Sequence, residues 1–244
     1  KTHQITKDGK YEIVNGKSVH QNEFGIHKGI FISPKGNFVA FYRMDQTVVT
    51  DYPIIDWSVQ PAVNKNIKYP FAGTKNHTVT LGVFNPTTQQ TIFLETQPKT
   101  DQYLTSVTWS PDEKHIYIAL LSRNQKHLAL NKYNAETGKL VKTLFKEDDA
   151  KYVEPQNELH FIPGKTNEFV WWSQRDGFMH LYRYNTDGKL LNQITKGNWI
   201  VTEIAGENAK KKELLIITTK DSPKDRHLYA VNWENGSLRK ISTD

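Results

Sequence analysis

Met179-His180-Leu181-Tyr182-Arg183-Tyr184-Asn185-Thr186-Asp187-Gly188-Lys189-Leu190 alternates large and polar side chains, turns at Asp-Gly, and starts a new run. The chain repeats this stretch. His227-Leu228-Tyr229-Ala230-Val231-Asn232-Trp233-Glu234-Asn235-Gly236-Ser237-Leu238 is a second copy, and His127-Leu128-Ala129-Leu130-Asn131-Lys132-Tyr133-Asn134 with the turn Glu136-Thr137-Gly138 is a third. Val79-Thr80-Leu81-Gly82-Val83-Phe84-Asn85-Pro86 is a looser fourth. Taking Leu81, Leu128, Leu181 and Leu228 as markers, the copies are spaced by 47, 53 and 47 residues. Repeats near this length belong to propeller blades, small sheets that cannot bury their own faces and must stack on neighbours.

Each copy has two β-rich runs before the marker and one after it. Around Leu128 these are Leu104 to Ser110, His115 to Leu121, Lys126 to Tyr133 and Lys139 to Phe145; around Leu181 they are Glu158 to Ile162, Phe169 to Ser173, His180 to Tyr184 and Leu190 to Thr195. Gly, Pro, Asn and Asp bound the runs, as in hairpins. No apolar stripe keeps helical spacing for three turns, so helix is expected to be scarce. The expected fold is all-β: a partial β-propeller of about four blades of four antiparallel strands each. The blades fall roughly at 26–97, 103–147, 157–197 and 200–243.

Two departures from the period stand out. Between Met44 and Thr78 the first repeat carries a long insert rich in Pro and aromatics (Asp51-Tyr52-Pro53, Trp57, Gln60-Pro61, Tyr69-Pro70-Phe71-Ala72-Gly73). Such a loop either meets a pocket or lid, or packs on its own blade. At the N-terminus, Gln4-Ile5-Thr6-Lys7 resembles the blade ends Gln193-Ile194-Thr195-Lys196 and Lys240-Ile241-Ser242-Thr243. The chain thus reads as starting and stopping in the last strands of blades, a piece of a longer array. Open flanks on the first and last blades would favour self-association.

Composition sets further bounds. The 244 residues hold no cysteine, which excludes disulfides, thiolate metal sites and Cys nucleophiles. The formal charge of +6 comes from scattered lysines, densest at Lys210-Lys211-Lys212 in an expected turn. This is a solvated surface and not a nucleic-acid face. No apolar run reaches the length of a membrane span, and no secretory apolar core is present. Asn76-His77-Thr78 and Asn235-Gly236-Ser237 fit the short glycosylation pattern.

Catalytic motifs are missing. The nearest approach to Gly-x-Ser-x-Gly is Gly16-Lys17-Ser18-Val19-His20, which lacks the second Gly. The nine His form no HExxH pair. His180 and His227 occupy equivalent repeat positions and read as structural. No catalytic residue, metal site or cofactor is expected within this chain. One segment stands outside the repeat: Ser18-Val19-His20-Gln21-Asn22-Glu23-Phe24-Gly25-Ile26-His27-Lys28-Gly29, which sets a carboxylate before a Phe-Gly bend just ahead of a blade's first strand. Propellers place such residues around the central channel. A surface glutamate is the plain alternative.

Val19 to Gly36, followed by Phe38-Val39-Ala40-Phe41-Tyr42-Arg43-Met44-Asp45, resembles the propeller of the prolyl-specific exopeptidases of the prolyl oligopeptidase clan, the bacterial prolyl tripeptidyl peptidases and dipeptidyl peptidase IV relatives. The resemblance continues through Tyr69-Pro70-Phe71-Ala72-Gly73-Thr74, Trp109-Ser110-Pro111-Asp112-Glu113, Tyr152-Val153-Glu154-Pro155, Ser173-Gln174-Arg175-Asp176-Gly177 and Ile194-Thr195-Lys196-Gly197-Asn198-Trp199. It implies an eight-bladed propeller over a C-terminal α/β-hydrolase domain of the same parent chain, which supplies the Ser, Asp and His. It also implies a periplasmic or secreted serine aminopeptidase that releases Xaa-Pro dipeptides or Xaa-Xaa-Pro tripeptides, with this chain inactive alone. By the resemblance Glu23 anchors the α-ammonium of a peptide substrate, and Asn22, Tyr152 and Glu154 line the same region. Dipeptidyl peptidase IV enzymes present two adjacent glutamates where this chain has Asn22-Glu23, and a single propeller glutamate is similar to the tripeptidyl enzymes. Arg175 and Asp176 read as a turn brace. The competing reading is a non-catalytic propeller that binds protein or glycan.

Overall fold

A computed structural model describes residues 2–97 and 102–242. Thr243, which the repeat reading places at the end of the last blade, lies outside the described residues. Among the described residues, four antiparallel sheets follow one another as the blades of an open, partial propeller, with a two-stranded hairpin sheet besides. In the first, β1 (Ile13–Asn15) and β2 (Ile30–Ile32) lie end to end along one edge of β3 (Val39–Asp45). After the hairpin β4 (Asp51–Asp56) and β5 (Val63–Lys68), the sheet continues with β6 (Thr78–Asn85) and β7 (Gln90–Phe93). The second blade runs β8 (Gln102–Trp109), β9 (His115–Ser122), β10 (His127–Asn134), β11 (Leu140–Asp148). The third has β12 (His160–Phe161), β13 (Glu168–Ser173), β14 (His180–Asn185) and β15 (Leu190–Gln193); the fourth has β16 (Val201–Asn208), β17 (Glu213–Thr218), β18 (His227–Asn232) and β19 (Leu238–Lys240). All four marker leucines fall in the third long strand of their sheets.

Successive side chains of a strand point to opposite faces, and here both faces of the inner blades are apolar. Along β9, Ile116 and Ile118 join the core shared with the first blade, whereas Tyr117, Ala119 and Leu121 join the core shared with the third. Along β13, Phe169 and Trp171 face backwards and Val170 and Trp172 face forwards to Leu214, Ile216 and Tyr229. Three cores between four blades result. Polar ties cross the first of them: Tyr42 donates to the Leu104 carbonyl (2.8 Å), Trp109 Nε1 to the Phe31 carbonyl (3.0 Å), and Glu113 accepts from Asn37 Nδ2 (2.6 Å).

The repeated turn glycine explains the period. Gly138 (φ +74°), Gly188 (φ +86°) and Gly236 (φ +74°) close the turns before β11, β15 and β19. A Cβ on each would come within 2.4 Å of the Phe93 carbonyl oxygen, 2.2 Å of Leu144 and 2.8 Å of Ile194 respectively. Each turn therefore lies on the last strand of the preceding blade, where no other residue fits. His180 is structural, as its repeat position implied: it bonds Thr195 Oγ1 (3.0 Å) and the Gly197 carbonyl (2.9 Å).

The N-terminal end departs from the repeat reading, whereas the C-terminal end closes the last blade as β19. Gln4 to Lys7 join no ladder; the segment lies on the outer face of the first blade, where His3 stacks on Phe84 and Asp8 pairs with Arg43 at 2.6 Å. Phe41 and Phe84 on that face are buried, whereas Phe93 and Ile5 beside them stay partly exposed. The aromatic insert forms the β4–β5 hairpin, with Tyr52, Tyr69 and Phe71 packed together at its base and Trp57 77 % exposed at its tip. Asn76, one of the two glycosylation matches, is buried and its Oδ1 accepts the His77 N–H, which closes it to a glycan.

Candidate functional site

The segment between β1 and β2 crosses the top of the first core in a conformation L-residues avoid. His20 (φ +54°), Gln21 (+53°) and Asn22 (+62°) form a short left-handed turn, Glu23 is extended (φ −72°, ψ 170°), and Phe24 (+57°) is left-handed again. Each such residue costs roughly 1–3 kcal/mol, so surrounding contacts must impose the shape. Two main-chain bonds close it, Asn22 N–H to Val19 O (3.1 Å) and Glu23 N–H to His20 O (3.0 Å). The Phe24 ring rests on Tyr103, 4.9 Å between centroids.

The strongest constraint is His20. Its imidazole is buried, near-parallel to and beside the buried ring of His77, and edge-on to Tyr103. The Leu104 N–H donates to His20 Nε2 (3.2 Å), so the ring proton sits on Nδ1, 2.9 Å from His77 Nε2, which accepts it. Both rings are therefore neutral. Burial, and then the neighbouring His77, hold His20 well below its ordinary range; burial, and then the Arg123 charge, bring His77 from 6.5 down to about 4. The unfolded chain protonates both rings near pH 6.5 and the folded chain does not. Stability is therefore whole above pH 6.5 and falls as pH drops towards 4, by roughly 3 kcal/mol for His77 alone. Urea midpoints of the full-length protein at pH 7 and pH 4.5 check this: the drop is expected to shrink in His77→Gln.

Past Glu23 the chain is pinned between blades. Gly25 (φ +69°) lies against the Gln156 carbonyl, which a Cβ would meet at 2.1 Å. Lys28 pairs with Glu158 (2.8 Å), and Ser106, itself left-handed in a bulge of β8, donates to the Asn157 carbonyl (2.8 Å). A cavity of about 170 Å³ lies between them, lined by Phe24, Ile26, Lys28, Ser106, Asn157 and Glu158 among others. The structure thus brings the Glu23 turn and the loop carrying Tyr152 and Glu154 together through Gly25 and Gln156. It does not join their side chains: no hydrogen bond or ion pair links Glu23 or Asn22 to Tyr152 or Glu154. All four are exposed. Among the described residues the Glu23 carboxylate has no hydrogen-bond or ion-pair partner.

The loop has its own support. Glu147 accepts from Trp171 Nε1 (2.8 Å), Ser173 Oγ (2.9 Å) and Arg175 Nη2 (2.5 Å). Arg175 also donates to Tyr184 (2.7 Å) and lies over the Tyr182 ring, and Gln174 holds the Tyr152 carbonyl at 3.1 Å. Arg175 braces its turn, as the sequence suggested, and so does Asp176, which accepts from Gln193 Nε2 (2.6 Å). Sequence reasoning missed His20, His77 and Ser106. His20 sits three residues before Glu23, but nothing in its neighbours marks His77 as its partner.

The site is thus an exposed carboxylate without a protein partner, carried on a left-handed turn of an open, partial β-propeller. The comparisons are specific about which. The family described as "Dipeptidyl peptidase IV (DPP IV) N-terminal region" matches residues 1–244, and the chain belongs to it. Among curated relatives, dipeptidyl peptidase 4 of Felis catus is 31% identical over 264 residues, covering 94% of this chain and 33% of that protein. Among solved structures, a Bacteroides ovatus protein assigned provisionally as a dipeptidyl aminopeptidase IV superposes with TM-score 0.90 at 41% identity, over 96% of this chain and 35% of that one. The dipeptidyl peptidase 4 of Porphyromonas gingivalis does so with TM-score 0.88 at 27% identity, over 99% and 35%. The chain spans about a third of the length of these proteins.

Proposed function

We propose that residues 1–244 are the substrate-gating part of the propeller of a serine exopeptidase, and that Glu23 anchors the free N-terminus of the peptide. The observation that carries this is the Glu23 carboxylate, unpaired yet fixed by a turn whose strain is held by buried contacts. An exopeptidase must measure a set length from the substrate's α-ammonium to the scissile bond. A charge-assisted hydrogen bond to a fixed carboxylate does so, and it turns remote binding energy into orientation of the reacting carbonyl. The nucleophile then comes from an α/β-hydrolase domain of the parent chain. Asn22, Tyr152 and Glu154 line the approach.

The products are short peptides ending in proline. The names of the relatives favour dipeptides, whereas the single carboxylate of Asn22-Glu23 favours tripeptides, and mass spectrometry of products from a Xaa-Xaa-Pro-containing peptide separates them. A periplasmic or secreted location suits an enzyme that trims peptides; no helix among the described residues is long and apolar enough to cross a membrane. In the full-length protein, Glu23→Gln is expected to lower kcat/KM on free-amine peptides about a hundredfold. Labelling by an acylating active-site probe should stay at wild-type rate. Equal loss of both would reduce Glu23 to a structural residue.

A further inference from the structure

Three distant chain segments meet under the Glu23 turn. His20 belongs to the turn, His77 precedes β6 in the same blade, and Leu104 lies in the first strand of the next blade. They form one directed chain: the Leu104 N–H donates to His20 Nε2 at 3.2 Å, and His20 Nδ1–H donates to His77 Nε2 at 2.9 Å. The near-parallel rings lie side by side, 4.9 Å apart between centroids at 21°, and both are almost wholly buried, 2 % and 1 % exposed. His77 is fixed in turn, since its backbone N–H is held by Asn76 Oδ1 at 2.9 Å. Arg123, whose Nη2 donates to the Thr74 carbonyl at 2.6 Å, is the charged group that the His77 ring senses.

A buried imidazole pair of this kind is costly to keep unless it fixes something, because each ring nitrogen needs its partner in a place without water. What it fixes is the left-handed run His20–Asn22, which an isolated peptide would leave for ordinary backbone conformations. Without the acceptor on His77, the His20 Nδ1–H is orphaned in the core and the turn can relieve both the orphan and its strain by unwinding. Glu23 follows directly on that turn, so its position depends on the pair.

We propose that His77 is a positioning residue for substrate: by accepting the His20 Nδ1 proton it locks the left-handed turn that aims Glu23, without touching the peptide itself. This rests on the reading of Glu23 as the N-terminus anchor. Steady-state kinetics of the full-length protein on a free-amine Xaa-Pro chromogenic substrate tests it, with His77→Phe (a ring without an acceptor), His77→Asn (a smaller group out of reach) and His77→Gln (an acceptor restored). His77→Phe and His77→Asn are each expected to raise KM about tenfold while kcat stays within about twofold, and His77→Gln to recover most of the loss. If one of the first two does not fold, the other carries the comparison. On a Glu23→Gln background His77→Asn should add nothing to KM, since both act through the same carboxylate. Amide exchange at Leu104 should quicken in His77→Asn and not in Glu23→Gln. A Glu23→Gln enzyme with wild-type KM would sink the anchoring reading. A raised KM in Glu23→Gln with an unchanged KM in His77→Asn would sink the positioning role alone, as would full additivity of the two.

Discussion

Gly25→Ala is expected to destabilise the full-length protein on the order of 4 kcal/mol and to blunt recognition of free-amine peptides at the same time. Two costs coincide at this position. The backbone is left-handed (φ +69°), which disfavours any Cβ, and the added carbon would sit 2.1 Å from the Gln156 oxygen and 2.8 Å from its carbonyl carbon. Both clashing atoms are main chain, so no side-chain rotation relieves them. Either the Glu23 turn lifts or the loop at 154–158 retreats. For a domain of this size the loss corresponds to a fall in Tm of roughly 10 °C, measurable by calorimetry. Gly36→Ala is the control, because Gly36 is equally left-handed (φ +78°) but has nothing within 4 Å of its Cβ position. That variant should lose about 1 kcal/mol and leave KM unchanged. Similar losses in the two would show that the contact with Gln156 does not matter.

The second large effect is expected at Glu147. Its carboxylate gathers the Trp171 indole N–H, the Ser173 hydroxyl and the Arg175 guanidinium, and its side chain is only 10% exposed. Glu147→Ala strands the Trp171 indole N–H, which lies inside the core between the second and third blades, while Arg175 keeps Tyr184 and Ser173. Leaving the indole donor unpaired in the core, together with losing the ion pair of a partly exposed guanidinium, should cost about 3 kcal/mol. Glu147→Gln keeps an acceptor oxygen for Trp171 or Arg175 and should cost less than half as much. Chemical denaturation of the two variants reads the difference. Because Gln174, beside Arg175, holds the Tyr152 carbonyl, Glu147→Ala should also loosen the loop that carries Tyr152 and Glu154. Faster proteolytic nicking near residues 150–158 would report that, and an unchanged cleavage pattern would detach the loop from the network.

Both sites lie where the repeat reading was least informative. Leu81, Leu128, Leu181 and Leu228 could be placed from periodicity alone, since a strand's alternation and a turn's glycine are written within ten residues. The Glu23 turn could be picked out as a break in the pattern, and its part in a family as a match of short motifs in order. Its shape could not. A left-handed run of His20, Gln21 and Asn22 contradicts local preference, and the residues that enforce it lie 57 and 84 positions away. The same holds for β1, which no run of β-rich residues announced and which exists because the edge of β3 beyond β2 was free to pair.

What the sequence determined by itself was the fourfold repeat, the succession of antiparallel strands within its regular copies and the identity of the turn glycines, because each depends on neighbours along the chain. Only the tertiary structure decided that the N-terminal segment covers the first blade, that the aromatic insert is a hairpin, and that two histidines hold the turn beneath Glu23. Those features arise where segments far apart in the chain exclude water together. Burial and hydrogen-bond satisfaction there outweigh local preference, and no local pattern records which distant partner will meet them.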